Sequence, residues 1–185
     1  MLYKNVYICR KLTIEDFFNY FHLKRLAHYM KKTILSSLLI LLPLYCWSQL
    51  ITTNPAFVTQ ENGITEITVN AASTDGNLGL KGFTGDVYAH VGVITSASTS
   101  NADWKYVVTP WPSATNLALA NTPKNKLTSL GNDKWKLTIS PDLRSYFGVP
   151  AGEIILKIAF VFRNADGTLQ EKTATGGDIF VDLVP

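Results

Sequence analysis

Residues 87–95 read VYAHVGVIT, a run in which small or branched apolar side chains alternate with Tyr88 and His90. Because successive side chains of a β-strand point to opposite faces of the sheet, this alternation predicts a strand. The valines and Ala89 would face a core, and Tyr88 and His90 would stand together on the other face. The chain around this strand therefore needs a second layer to cover the apolar face.

Similar short apolar runs recur along the chain between Gly, Asn, Asp and Pro, and no long stretch has the 3.6-residue period of a helix. The predicted strands span residues 50–53, 64–71, 87–94, 104–108, 134–140, 154–163 and 179–183, with another near 169–172. Asn132-Asp133 and Gly176-Gly177 predict tight turns, since these residues tolerate left-handed backbone angles. A single helical turn is expected to begin near Asp142 and to end at Gly148. We expect an all-β fold, an immunoglobulin-like antiparallel β-sandwich of about seven to nine strands.

The first 48 residues have a different character. Met30-Lys31-Lys32 precede an apolar run at residues 34–47, which is followed by Ser48. Positive residues, a short apolar stretch and a small residue at the cut are typical of a secretory signal peptide. A fourteen-residue run that contains Pro43 is shorter than the roughly 20 residues of a membrane span. We therefore predict a Sec-type signal peptide at 30–48, an over-extended start at 1–29, and an extracellular, periplasmic or cell-surface location; lipid anchoring at Cys46 remains the alternative.

The remaining residues, 49–185, are expected to form one domain with no membrane span. Residues 1–48 contain seven of the 17 Lys and Arg residues and two of the 14 Asp and Glu residues, so ten basic and twelve acidic residues remain. A formal charge of −2 excludes a basic surface of the kind that binds nucleic acid. Both cysteines, Cys9 and Cys46, also precede residue 49, so no disulfide is expected.

Residues 49–185 contain few candidates for catalytic residues. His90 is the one histidine there, so neither a zinc cluster nor a Cys/His dyad can be built. No Gly-x-Ser-x-Gly turn accompanies it, and the acidic residues mostly flank strands and turns. The loops at 75–77 and 164–167 do not have the spacing of an EF-hand and fit turn chemistry better. We predict that the chain is not an enzyme by itself and has no cofactor or metal.

Aromatic side chains are the remaining candidates for a functional site, as ligand-binding residues. Trp104 can lie beside Tyr88 and His90, although a core tryptophan is the alternative. Trp135 alternates with apolar residues of its predicted strand and is expected in the core. Trp111, between two prolines in a loop at 109–124, either staples that loop or extends a ligand surface. An aromatic ring beside an imidazole suits a sugar, which has one face of C–H groups and a rim of hydroxyls.

The string at 87–92, followed by Trp104, resembles the starch-binding carbohydrate modules of families twenty-five and twenty-six, which carry a Val-Tyr-x-His-x-Gly strand and a later tryptophan. The likeness is strongest to a variant at the head of secreted amylase-type proteins. Further strings that carry it are residues 77–83, 103–106, 143–148, 159–167 and 176–182.

The resemblance implies an immunoglobulin-type sandwich that binds an α-glucan such as starch or glycogen. It also implies that Trp104 is a stacking plate, with Tyr88 or His90 as a second, and that a tethered or associated glycoside hydrolase is a partner. The candidate ligand-binding residues are Tyr88, His90, Trp104, Tyr106 and Trp111. The alternative from the residues alone is a β-sandwich that only spaces or docks neighbouring domains of a secreted protein.

Overall fold

The structure, a computed structural model, describes residues 24–25 and 49–185. The predicted over-extended start at 1–29 and the signal peptide at 30–48 lie outside the described residues, apart from Lys24 and Arg25, and stay predictions. Every element below belongs to the compact unit Trp47–Pro185. Within the described ranges, no helix has the length and apolar character needed to cross a membrane.

Residues 49–185 form eight strands and two short helices. The strands are β1 (Ile51–Asn54), β2 (Thr65–Asn70), β3 (Tyr88–Thr95), β4 (Thr128–Gly131), β5 (Lys134–Ile139), β6 (Ile155–Arg163), β7 (Gln170–Glu171) and β8 (Ile179–Asp182), and the helices are α1 (Leu117–Ala120) and α2 (Leu143–Phe147). One antiparallel sheet has the order β1-β2-β5-β4; the other has the order β3-β6-β7, with β8 also paired to β6. The prediction of an all-β fold is confirmed.

The first sheet follows the sequence pattern closely. β2 and β5 pair so that Val69 lies opposite Trp135, and Trp135 is 3% exposed, which confirms its predicted place in the core. Asn132 and Asp133 both have positive φ angles, 51° and 57°, and join β4 to β5. Asn and Asp tolerate these angles better than most residues, which explains the tight turn.

The second sheet is built on a long pairing of β3 with β6, in which His90 lies opposite Val161. Val91 and Val93 of β3 belong to the hydrophobic core together with Phe160 of β6. Because strand side chains alternate, Tyr88 and His90 lie on the face of this sheet that points away from that core.

Helix α2 confirms the predicted helical turn. The Asp142 carboxylate accepts a hydrogen bond from the Ser145 amide at 2.8 Å, which caps the first turn. Gly148 ends the helix with a φ of 75°, a left-handed angle that glycine adopts without steric cost.

The predicted strand at 104–108 is wrong. Only Lys105 forms a β-bridge, to Val93, with reciprocal backbone hydrogen bonds of 2.8 and 3.0 Å. Tyr106 has a φ of 51°, which takes the chain out of the extended conformation directly after that bridge. The sequence also did not predict β4, whose four residues are all exposed, or α1, which lies inside the segment predicted as a loop.

Candidate functional site

The second sheet carries an open groove of about 540 Å³ on the face that points away from the core. His90 and its cross-strand neighbour Val161 line its base. Trp104 and Trp111, which are far from β6 in sequence, line its sides. The groove therefore combines an apolar base with two large aromatic walls.

The two tryptophans converge on His90. The Trp104 ring stacks on the imidazole at 5.7 Å between centroids with 25° between the planes. The Trp111 ring meets the same imidazole edge-on at 5.1 Å and 82°. The two indole planes are therefore inclined to each other by at least about 57°, the difference between these angles. Trp104 is half-buried, and Trp111 is 38% exposed.

The imidazole of His90 is largely desolvated. Its Nδ1 atom is buried and has no hydrogen-bond partner in the described part of the chain. Burial lowers the pKa of His90, and the nearby positive charge of Arg163 lowers it further, whereas the Asp178 carboxylate acts in the opposite direction. The lowered pKa favours the neutral imidazole, and the two indoles pack against this ring.

Short local contacts hold Trp104. Its Nε1 donates to the Asn101 carbonyl at 3.1 Å. The preceding residue, Asp103, pairs with Lys105 at 2.8 Å and accepts a hydrogen bond from the Thr99 amide at 3.0 Å. These bonds, together with that from Thr99 Oγ1, lower the pKa of Asp103. Because Lys105 is bridged to β3, the indole is fixed relative to the sheet.

Tyr88, a candidate ligand-binding residue, lies on the expected face of β3, but its side chain is not displayed openly there. It is only 9% exposed. The Arg163 guanidinium, which lies opposite Tyr88 in the sheet, sits 5.5 Å from the centre of its ring. Lys126 from the long connection after β3 forms a bridge beside it. The Arg163 side chain therefore packs on the Tyr88 ring, and the segment around Lys126 pairs with the backbone of β3 at Tyr88. Strand alternation contains no signal for either contact.

Tyr106 is not part of the groove lining. Its hydroxyl donates to Glu153 Oε2 at 2.5 Å, and the Thr95 hydroxyl donates to the other carboxylate oxygen. Tyr106 instead has a structural role. Because Glu153 accepts hydrogen bonds from both Tyr106 and Thr95, it links Tyr106, whose backbone is left-handed, to the end of β3. The same bonds raise the pKa of Tyr106 and lower that of Glu153, the bond from Thr95 being the largest cause for Glu153.

The lowered pKa of Glu153 predicts a pH-dependent contribution to stability. An acidic group whose pKa is depressed by folding stabilises the protein above its unfolded pKa, and this contribution is lost as pH falls through the folded value. We expect Glu153→Gln to have a lower Tm than the wild type at pH 7, and the difference to shrink below about pH 4. Thermal unfolding from pH 7 to 3 measures this, with exposed Glu61→Gln as control. A difference that stays constant over that range contradicts it.

Polar side chains complete the rim of the groove. Gln170 and Lys172 occupy alternate positions at β7, and the Asn77 side chain clamps the backbone there by donating to the Gln170 carbonyl at 3.1 Å and accepting from the Lys172 amide at 3.0 Å. Asp178 lies before β8 and also lines the groove. Within residues 49–185, neither the Lys172 ammonium nor the Asp178 carboxylate has a hydrogen-bond or ion-pair partner.

Sequence reasoning missed these three rim residues. They lie far from the aromatic strand in sequence, and only the pairing of β6 with β7 and β8 brings them to the groove. A single charged residue near a turn has no distinctive pattern. Among the described residues, no group of three or more His, Cys, Asp or Glu side chains is placed to hold a metal ion.

A protein-family model, described as a domain of unknown function (DUF8578), matches residues 113–170. The matched stretch begins shortly before α1, continues through β6 to the first residue of β7, and contains neither Trp104 nor Trp111. A search of curated proteins found no match to this chain.

Proposed function

We propose that residues 49–185 are a secreted, noncatalytic starch-binding module similar to families twenty-five and twenty-six, which binds an α-glucan in the groove. The module is exported through its signal peptide and serves a tethered or associated amylase-type glycoside hydrolase. The observation that carries the proposal is the pair of inclined tryptophans around His90 in a groove with unpaired polar groups at its rim.

An immunoglobulin-like sandwich is part of this proposal. The hydrophobic core contains Ile67 and Leu137 from the first sheet and Val91 and Phe160 from the second. A shared core is what two sheets form when they pack face to face. A groove on the outer face of one sheet leaves this shared core intact.

The angle between the indoles favours an α-glucan over a flat polysaccharide. A sugar ring stacks with its C–H face on an aromatic plane. An α-1,4-linked chain turns from one glucose to the next, so neighbouring sugar faces can meet planes inclined by at least about 57°. A cellulose-like chain is flat and suits aromatic rings that lie in one plane.

The rim matches a neutral ligand rich in hydroxyl groups. The Lys172 ammonium offers donors, the Asp178 carboxylate offers acceptors, and the Gln170 side chain offers both. Lys172 and Asp178 together carry no net charge. These groups can bond the secondary hydroxyls of a stacked sugar without requiring a charged ligand.

A single groove of this kind binds weakly. Stacking contributes about 0.5–1.5 kcal/mol per aromatic ring and each hydrogen bond about 1 kcal/mol, which corresponds to a Kd near the millimolar range. Tethering to a hydrolase would raise the effective affinity, since a second contact to the same polysaccharide becomes intramolecular.

Affinity electrophoresis tests the proposal. We expect the protein to be retarded in gels that contain amylose or amylopectin and to migrate freely in gels that contain hydroxyethylcellulose. Phe57→Ala is the matched control, because Phe57 is 76% exposed and does not line the groove; its retardation should equal that of the wild type. Equal mobility of the wild type in all gels would overturn the proposal.

The burial of Tyr88 favours the second candidate, a β-domain that spaces or docks neighbouring domains. On that hypothesis Trp104 is a packing residue, and no polysaccharide retards the protein. The two candidates therefore differ in whether Trp104 contributes to binding or only to stability.

A further inference from the structure

Trp111 lies in a long connection between β3 and β4 whose one regular element is α1. An exposed aromatic residue in such a segment stacks well only if its ring is held in place, because ordering a side chain on binding costs free energy. We infer that Gly167 and Arg163 are positioning residues that hold the Trp111 ring at its angle to Trp104. The inference rests on the proposed function for its ligand, but the positioning itself can be measured without one.

Arg163 joins the segment after Trp111 to the turn after β6. It is fully buried, and no carboxylate in the described part of the chain pairs with it. Its Nη2 donates to the Ala120 carbonyl at 2.7 Å, and its Nη1 donates to Asn121 Oδ1 at 2.8 Å and to the Asn164 carbonyl at 3.0 Å. One planar guanidinium thus fastens the end of α1 to the turn at 164–167.

The Trp111 ring rests on that turn. A Cβ atom added to Gly167 would lie 3.4 Å from two carbons of the indole and 2.8 Å from Cγ of Pro112. The Arg163 guanidinium lies 5.9 Å from the centre of the indole. At the other side, Asn116 Nδ2 donates to the Trp111 carbonyl at 3.1 Å. A Cβ at 167 would only touch the indole but would overlap the Pro112 ring, so glycine at this position leaves room for Pro112 and, through it, for the neighbouring Trp111.

This packing leaves one part of the indole to a ligand and fixes the rest. The contacts with Gly167, Arg163 and His90 hold the ring at 82° to the imidazole, and the exposed part lines the groove. Stacking on a ring that is already ordered avoids much of the entropy cost of binding. The turn after β6 therefore sets the affinity of the groove without touching the ligand.

Gly167→Ala tests this against a matched variant, Gly176→Ala. Both glycines have left-handed φ angles, 77° and 79°, so both substitutions impose similar backbone strain. A Cβ at Gly176 meets nothing within 4 Å, whereas one at Gly167 meets Pro112 and Trp111. The pair separates displacement of the ring from loss of stability.

The first readout is the ¹⁹F NMR spectrum of protein labelled with 5-fluorotryptophan, with the Trp111 signal assigned by Trp111→Phe. We expect Gly167→Ala to shift or broaden the Trp111 signal and to leave that of Trp135 unchanged, while Gly176→Ala changes neither. An unchanged Trp111 signal in Gly167→Ala, or an equal change in Gly176→Ala, overturns the inference.

The second readout is titration with maltoheptaose. We expect Gly167→Ala to bind at least about fivefold more weakly than Gly176→Ala, and Arg163→Lys to weaken binding in the same direction because lysine lacks the planar fork. If the Trp111 signal moves but the two glycine variants bind equally, the inference is overturned. If the signal moves and no form binds a glucan, the positioning holds and the proposed function fails.

Discussion

Trp104→Ala is expected to weaken binding of an α-glucan at least about tenfold, which corresponds to about 1.4 kcal/mol. The indole is half-buried and forms one wall of the groove against His90, so its removal deletes a stacking surface and frees the imidazole. Isothermal titration with maltoheptaose measures the loss. The free energy of unfolding should fall by only about 1 kcal/mol, because the ring is not part of the hydrophobic core.

This variant separates the two candidate functions. If the domain is only a spacer, Trp104→Ala lowers the Tm and there is no glucan binding to lose. Trp104→Phe is the matched control, since it keeps an aromatic plane while removing the hydrogen bond to the Asn101 carbonyl. Binding by Trp104→Phe that is as weak as that of Trp104→Ala would show that the bond to Asn101, rather than stacking, is what matters.

Trp135→Ala is expected to act mainly on stability, lowering the free energy of unfolding by about 3–5 kcal/mol. Trp135 is 3% exposed and lies in the core opposite Val69 of the neighbouring strand. Its removal leaves a cavity that the surrounding side chains fill only in part. Denaturant unfolding measures the change, and a loss below about 1 kcal/mol would contradict the assignment of Trp135 to the core.

Glucan binding by whatever fraction of Trp135→Ala remains folded should equal that of the wild type. The comparison uses the same substitution at two tryptophans, so side-chain chemistry is constant and only the position in the fold differs. A specific loss of affinity in folded Trp135→Ala would mean that the groove depends on the packing of the first sheet.

Local patterns predicted the strands because their causes are local. Alternation identified β2, β3, β5 and β6 to within a residue or so at their ends, and Asn132-Asp133 identified the turn before β5. The failed strand at 104–108 had a suitable composition, but Tyr106 adopts a left-handed angle whose stabilising bond comes from Glu153, 47 residues later. No property of the residues near Tyr106 reveals that bond.

The site could be predicted only in part for the same reason. Strand alternation placed His90 and Tyr88 on the outer face, but it could not reveal that the Arg163 side chain of β6 packs on the Tyr88 ring. Trp111 was expected either to fasten its loop or to extend a ligand surface. In the structure its ring lies next to the turn at Gly167 and also lines the groove. The rim residues arrive through strand pairings far along the chain.

The alternation of β3 makes this strand sensitive to deletions and tolerant of substitutions on its outer face. Every second residue serves the core and the residues between them serve the opposite face, so a deletion of one residue would turn the valines toward water and His90 into the interior. A substitution at an outward position does not change which residues of β3 face the core. The length of β3 is therefore under much stricter constraint than the identity of the side chains that it presents to a ligand.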